Sequence, residues 1–334
     1  MGLPVTVYRW DDVGAPQIAN QKPSEIINVL KKCLVDGYGS KTALGWTMPF
    51  EDVAKQSVAF RNSITDGSGG YFKIYSRDGN DNDRTLMRIQ SAQSMSDIDT
   101  LFRPNYKHAF ELFDNRFTKW VLIGTSAGFY FICGLLTNAC GADQRYDSMF
   151  FAGDFESVIQ NDPSKFIAIS NPLVNGGDNT SSYASGYNDG FQRCVYESDR
   201  YWGYSSIRLY DTDNSGNYYN YSFYSPQGVL LGSAVNITPD KNTQVGLYGR
   251  IVIQMTSVST SSTGRRFDGE YFNQSVKSPV VRGYLPAFIV ETYPRYSKYD
   301  NYDVFEPHLG QNSYLVRSFA NLTGNWIGCE NWYE

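Results

Sequence analysis

The 334-residue chain is 41% apolar and only 19% charged, with a net charge of −5. That balance belongs to a folded globular protein with one large core or two ordinary ones, and it excludes a disordered chain. It also excludes a phosphate-backbone binder, because no basic cluster runs longer than Lys31-Lys32 or Arg265-Arg266.

Aromatic residues are abundant: 26 Tyr, 20 Phe and 6 Trp, with Tyr concentrated after residue 183. Such side chains favour pleated, half-buried surfaces, and Tyr adds a polar tip suited to wet interfaces. Residues 1–12 lack the charged start and apolar run of a signal peptide, and no apolar run approaches the roughly 20 residues of a membrane-spanning helix. Five scattered cysteines (Cys33, Cys133, Cys140, Cys194, Cys329) contain no C-x-x-C pair, so a zinc ribbon and a thioredoxin motif are excluded. Buried, reduced thilos in a cytosolic fold are the expectation.

In chain order, Val5–Arg9 alternates as a short strand. Ser24 is the predicted cap of an amphipathic helix whose apolar face is Ile26, Ile27, Val29, Leu30, Cys33 and Leu34, ending at Gly37. Strands are predicted over 45–53, 57–61, 70–75 and 84–89, separated by turn-rich pieces such as Asp66-Gly67-Ser68-Gly69-Gly70 and Asp78-Gly79-Asn80-Asp81. Gly37, Gly39 and Gly45 around Trp46 predict a tight corner with positive φ. Helical turns are expected at 109–113 and 155–160. Apolar strands are expected at Trp120–Ile123, Phe129–Gly134, Met149–Ala152 and 165–170. Residues 171–190 are rich in Gly, Asn and Ser and read as a break. Beyond it, strands are predicted over 207–211, 218–224, 228–234, 249–258 and 280–291, with no fixed-period repeat.

Together these elements predict a mainly β fold of class α+β, with many short antiparallel strands and one N-terminal amphipathic helix. The expected organisation is an N-terminal α+β domain over 1–172, a loop or linker over 173–190, and a Tyr-rich β domain over 191–334. A single composite domain is the alternative.

Gly124-Thr125-Ser126-Ala127-Gly128 matches G-x-S-x-G, the nucleophile elbow of serine hydrolases. An elbow needs a strand before the serine and a helix after it. Here Phe129-Tyr130-Phe131-Ile132-Cys133-Gly134 follows, an aromatic and β-branched run that makes a poor helix. A hairpin is therefore expected. The hydrolase alternative pairs Ser126 with His308, since His108, the other histidine, precedes the serine. His108 and Glu111 form H-x-x-E, too few ligands for zinc. Asp211-Thr212-Asp213-Asn214-Ser215-Gly216 copies the opening of an EF-hand loop, but its twelfth position is Ser222 rather than Glu. Asp78, Asn80, Asp81 and Asp83 form a second oxygen-rich turn. Asp97 with Asp99, and Asp211 with Asp213, are candidate carboxylate pairs by proximity alone. No phosphate-cradling glycine motif is present. No catalytic, cofactor-binding or metal-binding residue is assigned.

Several segments in order carry a resemblance: Pro4–Arg9, Cys33–Lys41, Gly45-Trp46-Thr47, Ser94–Asp99, Phe150–Phe155 and Val281–Ala287. They resemble a family of tailed-bacteriophage virion structural proteins, across most of the chain and least over 171–265. The resemblance implies a non-enzymatic particle component in the head decoration, neck or collar, or tail. It further implies assembly in the host cytoplasm and partners that are other virion proteins and copies of the same chain, without nucleic acid or membrane. A glycan- or receptor-binding virion module is the alternative.

Overall fold

The computed structural model describes residues 2–110, 112, 115–134, 148–172, 207–213, 215–224, 248–255, 279–291, 305–308, 311–317 and 324–334. Strands β1 (Leu3–Pro4) and β2 (Thr6–Arg9) precede helix α1 (Pro23–Lys31), which runs into a π-helical turn over Lys32–Asp36. There follow β3 (Thr47–Asp52), β4 (Ser57–Arg61), β5 (Tyr71–Ser76), β6 (Met87–Met95), β7 (Leu101–Pro104) and β8 (His108–Phe110). Next are β9 (Lys119–Gly124), β10 (Gly128–Gly134), β11 (Ser148–Asp154), β12 (Glu156–Ser157), β13 (Phe166–Ile169) and β14 (Asn171–Pro172). The remaining strands are β15 (Ile207–Tyr210), β16 (Tyr218–Tyr224), β17 (Tyr248–Met255), β18 (Val281–Glu291), β19 (Phe305–His308), β20 (Gln311–Arg317), β21 (Gly324–Gly328) and β22 (Asn331–Trp332).

These strands form three main sheets, and the fold is mainly β with one α-helix among the described residues. A five-stranded sheet has the order β13-β11-β10-β9-β2. A seven-stranded sheet runs β14-β8-β6-β5-β4-β3, with β7 also on β6. An eight-stranded sheet runs β15-β16-β17-β18-β21-β20-β19, with β12 added to β18.

The five-stranded sheet lies in the middle, and alternation along its strands decides what each face meets. Trp120, Leu122, Phe129, Phe131, Phe150, Ala152, Phe166 and Ala168 point into one core. That core also contains Ile26, Val29, Leu30 and Leu34 of the helical segment and Val58, Phe60, Phe72, Ile74 and Ile89 of the seven-stranded sheet. Their neighbours Val121, Ile123, Tyr130, Ile132, Met149, Phe151, Ile167 and Ile169 point into a second core with Ile207, Leu209, Tyr221, Phe223, Ile251, Ile253 and Leu285 of the eight-stranded sheet. Phe150 is an aromatic hub of the first core, its ring centroid 5.4 Å from Phe72, 5.1 Å from Phe110 and 5.3 Å from Phe131. The described strands on either side of residues 173–190 thus share the second core, and β1 pairs with β22. Residues 173–190 lie outside the described set.

Local expectations meet four corrections. Helix α1 starts one residue before Ser24: Lys22 is the cap, Pro23 takes the first helical position, and the Glu25 carboxylate accepts the Lys22 amide at 3.2 Å. Residues 108–110 form β8 rather than a helical turn, because they complete the ladder beside β6. Residues 156–157 form β12 rather than a helix, because β18 offers them a partner at Tyr284 and Gly283. Strands β1, β7, β14 and β19 to β22 were not expected. Gly37, Gly39 and Gly45 have φ of 79°, 53° and 79°, the left-handed corner anticipated around Trp46. The strand expected over 228–234 lies outside the described residues, as do Cys140 and Cys194. Cys33 and Cys133 are buried, and Cys329 is half-buried.

The connection from β12 to β13 reaches the eight-stranded sheet through a charge pair that is 0% exposed on both side chains. Arg282 on β18 donates from Nε and Nη2 to the two carboxylate oxygens of Asp162, each at 2.7 Å, and from Nη2 to the Tyr210 carbonyl at 2.9 Å. Asp162 also accepts from Ser157 Oγ at 2.7 Å and from the Ser164 amide at 2.9 Å. A bidentate fork with every oxygen satisfied offsets the cost of desolvating both charges. Arg282→Met leaves the Asp162 carboxylate buried without its counter-charge and is expected to lower unfolding free energy by about 3–5 kcal/mol in urea titrations. Adding Asp162→Leu is expected to recover most of that loss; a double variant as unstable as the single one contradicts the assignment.

Candidate functional site

The five residues with an elbow pattern form the tip of a β-hairpin. Strand β9 pairs antiparallel with β10, Gly124 facing Phe129, and the Thr125 amide closes the turn onto the Gly128 carbonyl at 2.8 Å. Thr125 Oγ1 accepts from the Ala127 and Gly128 amides at 3.1 and 3.3 Å, a side-chain turn that rigidifies the bend. A strand follows Ser126, so the helix N-terminus of an elbow is absent from this position.

Three segments grip the bend by its carbonyls. Trp46 Nε1 donates to the Thr125 carbonyl at 3.1 Å, the Ser63 amide to the Ser126 carbonyl at 3.0 Å, and Asn62 Nδ2 to the Ala127 carbonyl at 3.0 Å. The Asp154 amide shares the last acceptor at 3.0 Å. The Ser126 hydroxyl donates to Asp66 Oδ2 at 2.7 Å, so its partner is a carboxylate on the clamping loop and not an imidazole. Ser63 Oγ, at 3.3 Å from the same oxygen, also accepts the Thr65 and Asp66 amides. His308 lies on β19 opposite Gln311, and its side chain lies outside the described set.

Beneath the tip sits Asp154, at the end of β11 and buried. Its carboxylate accepts the Ser68 amide at 2.8 Å, Ser68 Oγ at 2.5 Å and Asn62 Nδ2 at 3.2 Å, and pairs with Lys165 Nζ at 3.2 Å. Burial pushes this carboxyl above its ordinary range, against the opposing pull of Lys165 and of the Ser68 hydrogen bonds. The Asp154 carbonyl accepts Tyr333 Oη at 2.7 Å, bringing in the C-terminal segment. Gly153 has φ of 148°, and a Cβ there would overlap the Cα of Gly128. The arrangement therefore joins the 62–70 loop, the hairpin tip, β11 and the residues after β22 in one polar knot. Its hydroxyls and N–H groups are spent on one another, while Asn62 Oδ1 is buried without a hydrogen-bond partner.

The other residues singled out in the sequence are engaged in contacts of their own. The Thr100 side chain, and after it the Asp99 and Thr100 amides that Asp97 Oδ1 accepts, hold the Asp97 carboxyl below its ordinary range, while Asp99 pairs with Lys73 at 3.0 Å and Lys55 at 3.4 Å. Asp81 binds the first turn of α1, accepting the Ser24 amide and hydroxyl at 2.9 and 2.7 Å, a favourable place for an anion. Asp78 pairs with Arg77 and Asp83 with Lys22. Asp211 and Asp213 belong to the turn between β15 and β16; Asp211 is buried, and Asp213 Oδ1 accepts the Ser215 amide at 3.0 Å. Asn214 and Glu111 lie outside the described residues, and His108 is buried on β8. Among the described residues, no three His, Cys, Asp or Glu side chains gather closely enough to hold a metal ion. No helix among them is long and apolar enough to cross a membrane.

Asn62, Ser68 and Lys165 escaped the reading of the sequence, because each meets Asp154 from a distant turn. The one available signal was Gly153-Asp154, a charge closing an apolar run.

Ser126→Ala removes one partly exposed hydrogen bond and is expected to cost about 1 kcal/mol. Asp154→Ala orphans several donors and is expected to cost roughly 3 kcal/mol, measured by the same denaturant titration. The raised carboxyl of Asp154 also has a signature in pH. The folded chain holds this proton more tightly than the unfolded one, so the contribution is fully present below the ordinary value of 3.8 and is lost as pH rises through the folded value. The stability of the parent relative to Asp154→Asn is thus expected to fall as pH rises from about 4 toward neutrality. A flat or rising difference contradicts the burial argument. No protein-family model matches this chain, and no relative is found among the curated proteins.

Proposed function

We propose that the protein is a non-enzymatic structural component of a tailed-phage virion, in the head decoration, neck or collar, or tail. The observation that carries this reading is the fate of the serine motif. Its bend carbonyls, its serine hydroxyl and its two glycines serve to lock a hairpin between two cores, which is a contribution of shape rather than of bond-breaking. The segments Pro4–Arg9, Cys33–Lys41 and Val281–Ala287, with their likeness to phage structural proteins, add to it. A rigid, Tyr-rich β scaffold with modest charge suits repeated contacts, because aromatic side chains supply area at little entropic cost. Its partners are copies of itself and other virion proteins, through interfaces of more than about 1,000 Å². It is made in the host cytoplasm and resides in the particle.

Mass spectrometry of purified particles of the encoding phage is expected to find this chain at a fixed ratio to the other virion proteins. Its absence from intact particles overturns the proposal.

A further inference from the structure

Where the seven- and eight-stranded sheets meet, cations and rings alternate. The Arg103 guanidinium lies 5.2 Å from the ring centroid of Phe102 and 5.7 Å from that of Tyr210. Tyr210 meets Tyr218 edge-on at 5.6 Å. Arg208 lies 4.1 Å from the Tyr218 centroid and 4.6 Å from that of Tyr106. The result is a six-rung ladder running from β7 to the loop after it by way of β15 and β16.

The ladder is fixed from below. Tyr210 Oη donates to the Pro104 carbonyl at 3.1 Å, Tyr106 Oη to Asn220 Oδ1 at 2.8 Å, and the Arg208 amide to Asn105 Oδ1 at 2.7 Å. Arg103 keeps a left-handed backbone, φ 49°, a conformation that costs a non-glycine residue about 1 kcal/mol or more. Among the described residues no carboxylate pairs with Arg208, and its buried Nε has no hydrogen-bond partner. Rings hold this cation in place of an anion.

Two rungs face outward. Phe102 is 55% exposed and Tyr218 is 44% exposed, each with an arginine over its ring. The exposed side chains of Asp213 and Asn217, on the turn before Tyr218, lie close to it in sequence and supply planar polar groups. Two exposed rings are far less area than the roughly 800 Å² per partner of a standard protein interface. They match instead a narrow ligand that has apolar C–H faces and hydroxyls at its edges.

We propose that this ladder is a carbohydrate-binding platform, on which sugar rings of one oligosaccharide stack against Phe102 and Tyr218 while rim side chains bond its hydroxyls. The arginines clamp the rings beforehand, so little side-chain freedom is lost on binding. The proposal stands independently of residence in a virion.

The test uses the full chain on an array of neutral-hexose and uronic-acid oligosaccharides, followed by titration of the best binder. Binding to either class is expected, and the class tells whether hydroxyl or carboxylate recognition dominates. Tyr218→Ala and Phe102→Ala are each expected to weaken it about three- to tenfold, with unchanged thermal melting, while Tyr218→Phe retains it. Three results overturn the proposal: no array binding by folded protein, binding unmoved by both alanine variants, or alanine variants that change only self-association, which would make the ladder a protein contact.

Discussion

The structure depends on burial of the five-stranded sheet on both faces. A sheet covered on one side shows alternating apolar and polar residues, but Trp120–Gly124, Phe129–Cys133 and Met149–Ala152 have no polar face to give. Trp120 and Leu122 serve one core while Val121 and Ile123 serve the other, and the same split recurs in β10, β11 and β13. One consequence is that a register slip of a single residue would exchange the occupants of both cores at once, placing Phe150 where Phe151 belongs. Pairing of β10 with β9 and β11 is therefore specified from two sides. Its cores are continuous with α1 in one direction and with the C-terminal strands in the other, so distant parts of the chain fold around a common layer.

Double-sided burial also concentrates polar groups where the chain leaves the layer. Two carboxylates are taken under cover there, and they are stabilised differently. Asp162 sits in a dry site and meets a guanidinium in a two-pronged contact, with Ser157 and Ser164 satisfying what remains. Asp154 relies on dispersed donors, Ser68 and Asn62, and on Lys165, which remains a third exposed. A fixed fork recovers more of the lost hydration than a flexible ammonium does, which accords with burial still raising the Asp154 carboxyl. Both acids tie a loop to a strand across more than 80 residues of sequence, so each converts a local turn into a long-range constraint.

The readable part of this architecture was the part governed by local pattern. The apolar runs of β9, β10 and β11 and the alternation of β4 and β16 each carry their own signal, and strands stand there. Misreadings occur where a distant partner decides. Glu156-Ser157 has no intrinsic reason to be extended until β18 lies alongside, and His108–Phe110 gains its conformation from β6 and β14. Ser24 is a good cap by residue type, but Pro23 is better placed as the first helical residue, and the serine instead binds Asp81 from another turn. The aromatic ladder was invisible for the same reason. Tyr content signalled rings, but only the packing of β7 against β15 interleaves them with arginines.

The elbow pattern itself has a packing origin. A Cβ on Gly124 would stand 2.5 Å from the Cβ of Phe129 and 2.9 Å from Leu44, while one on Gly128 would stand 2.6 Å from Tyr333 Oη. Gly124 therefore demands glycine, because Phe129 Cβ and the Gly128 carbonyl leave no room, while a Cβ at Gly128 would push the Tyr333 hydroxyl off the Asp154 carbonyl and press on the Gly153 Cα at 3.3 Å. Between them, a short residue whose oxygen turns back on the backbone closes the bend, the part played by Thr125, and a small polar residue such as Ser126 meets the clamping loop. Close approach at both ends and a polar turn between reproduce G-x-S-x-G without a nucleophile's requirements. What separates the two uses is the next six residues. An elbow has to launch a helix whose amides converge on the reacting atom, whereas Phe129 to Gly134 must stay extended to supply rings to both cores. The constraint that fills the interior thus also determines what the serine at its rim can be.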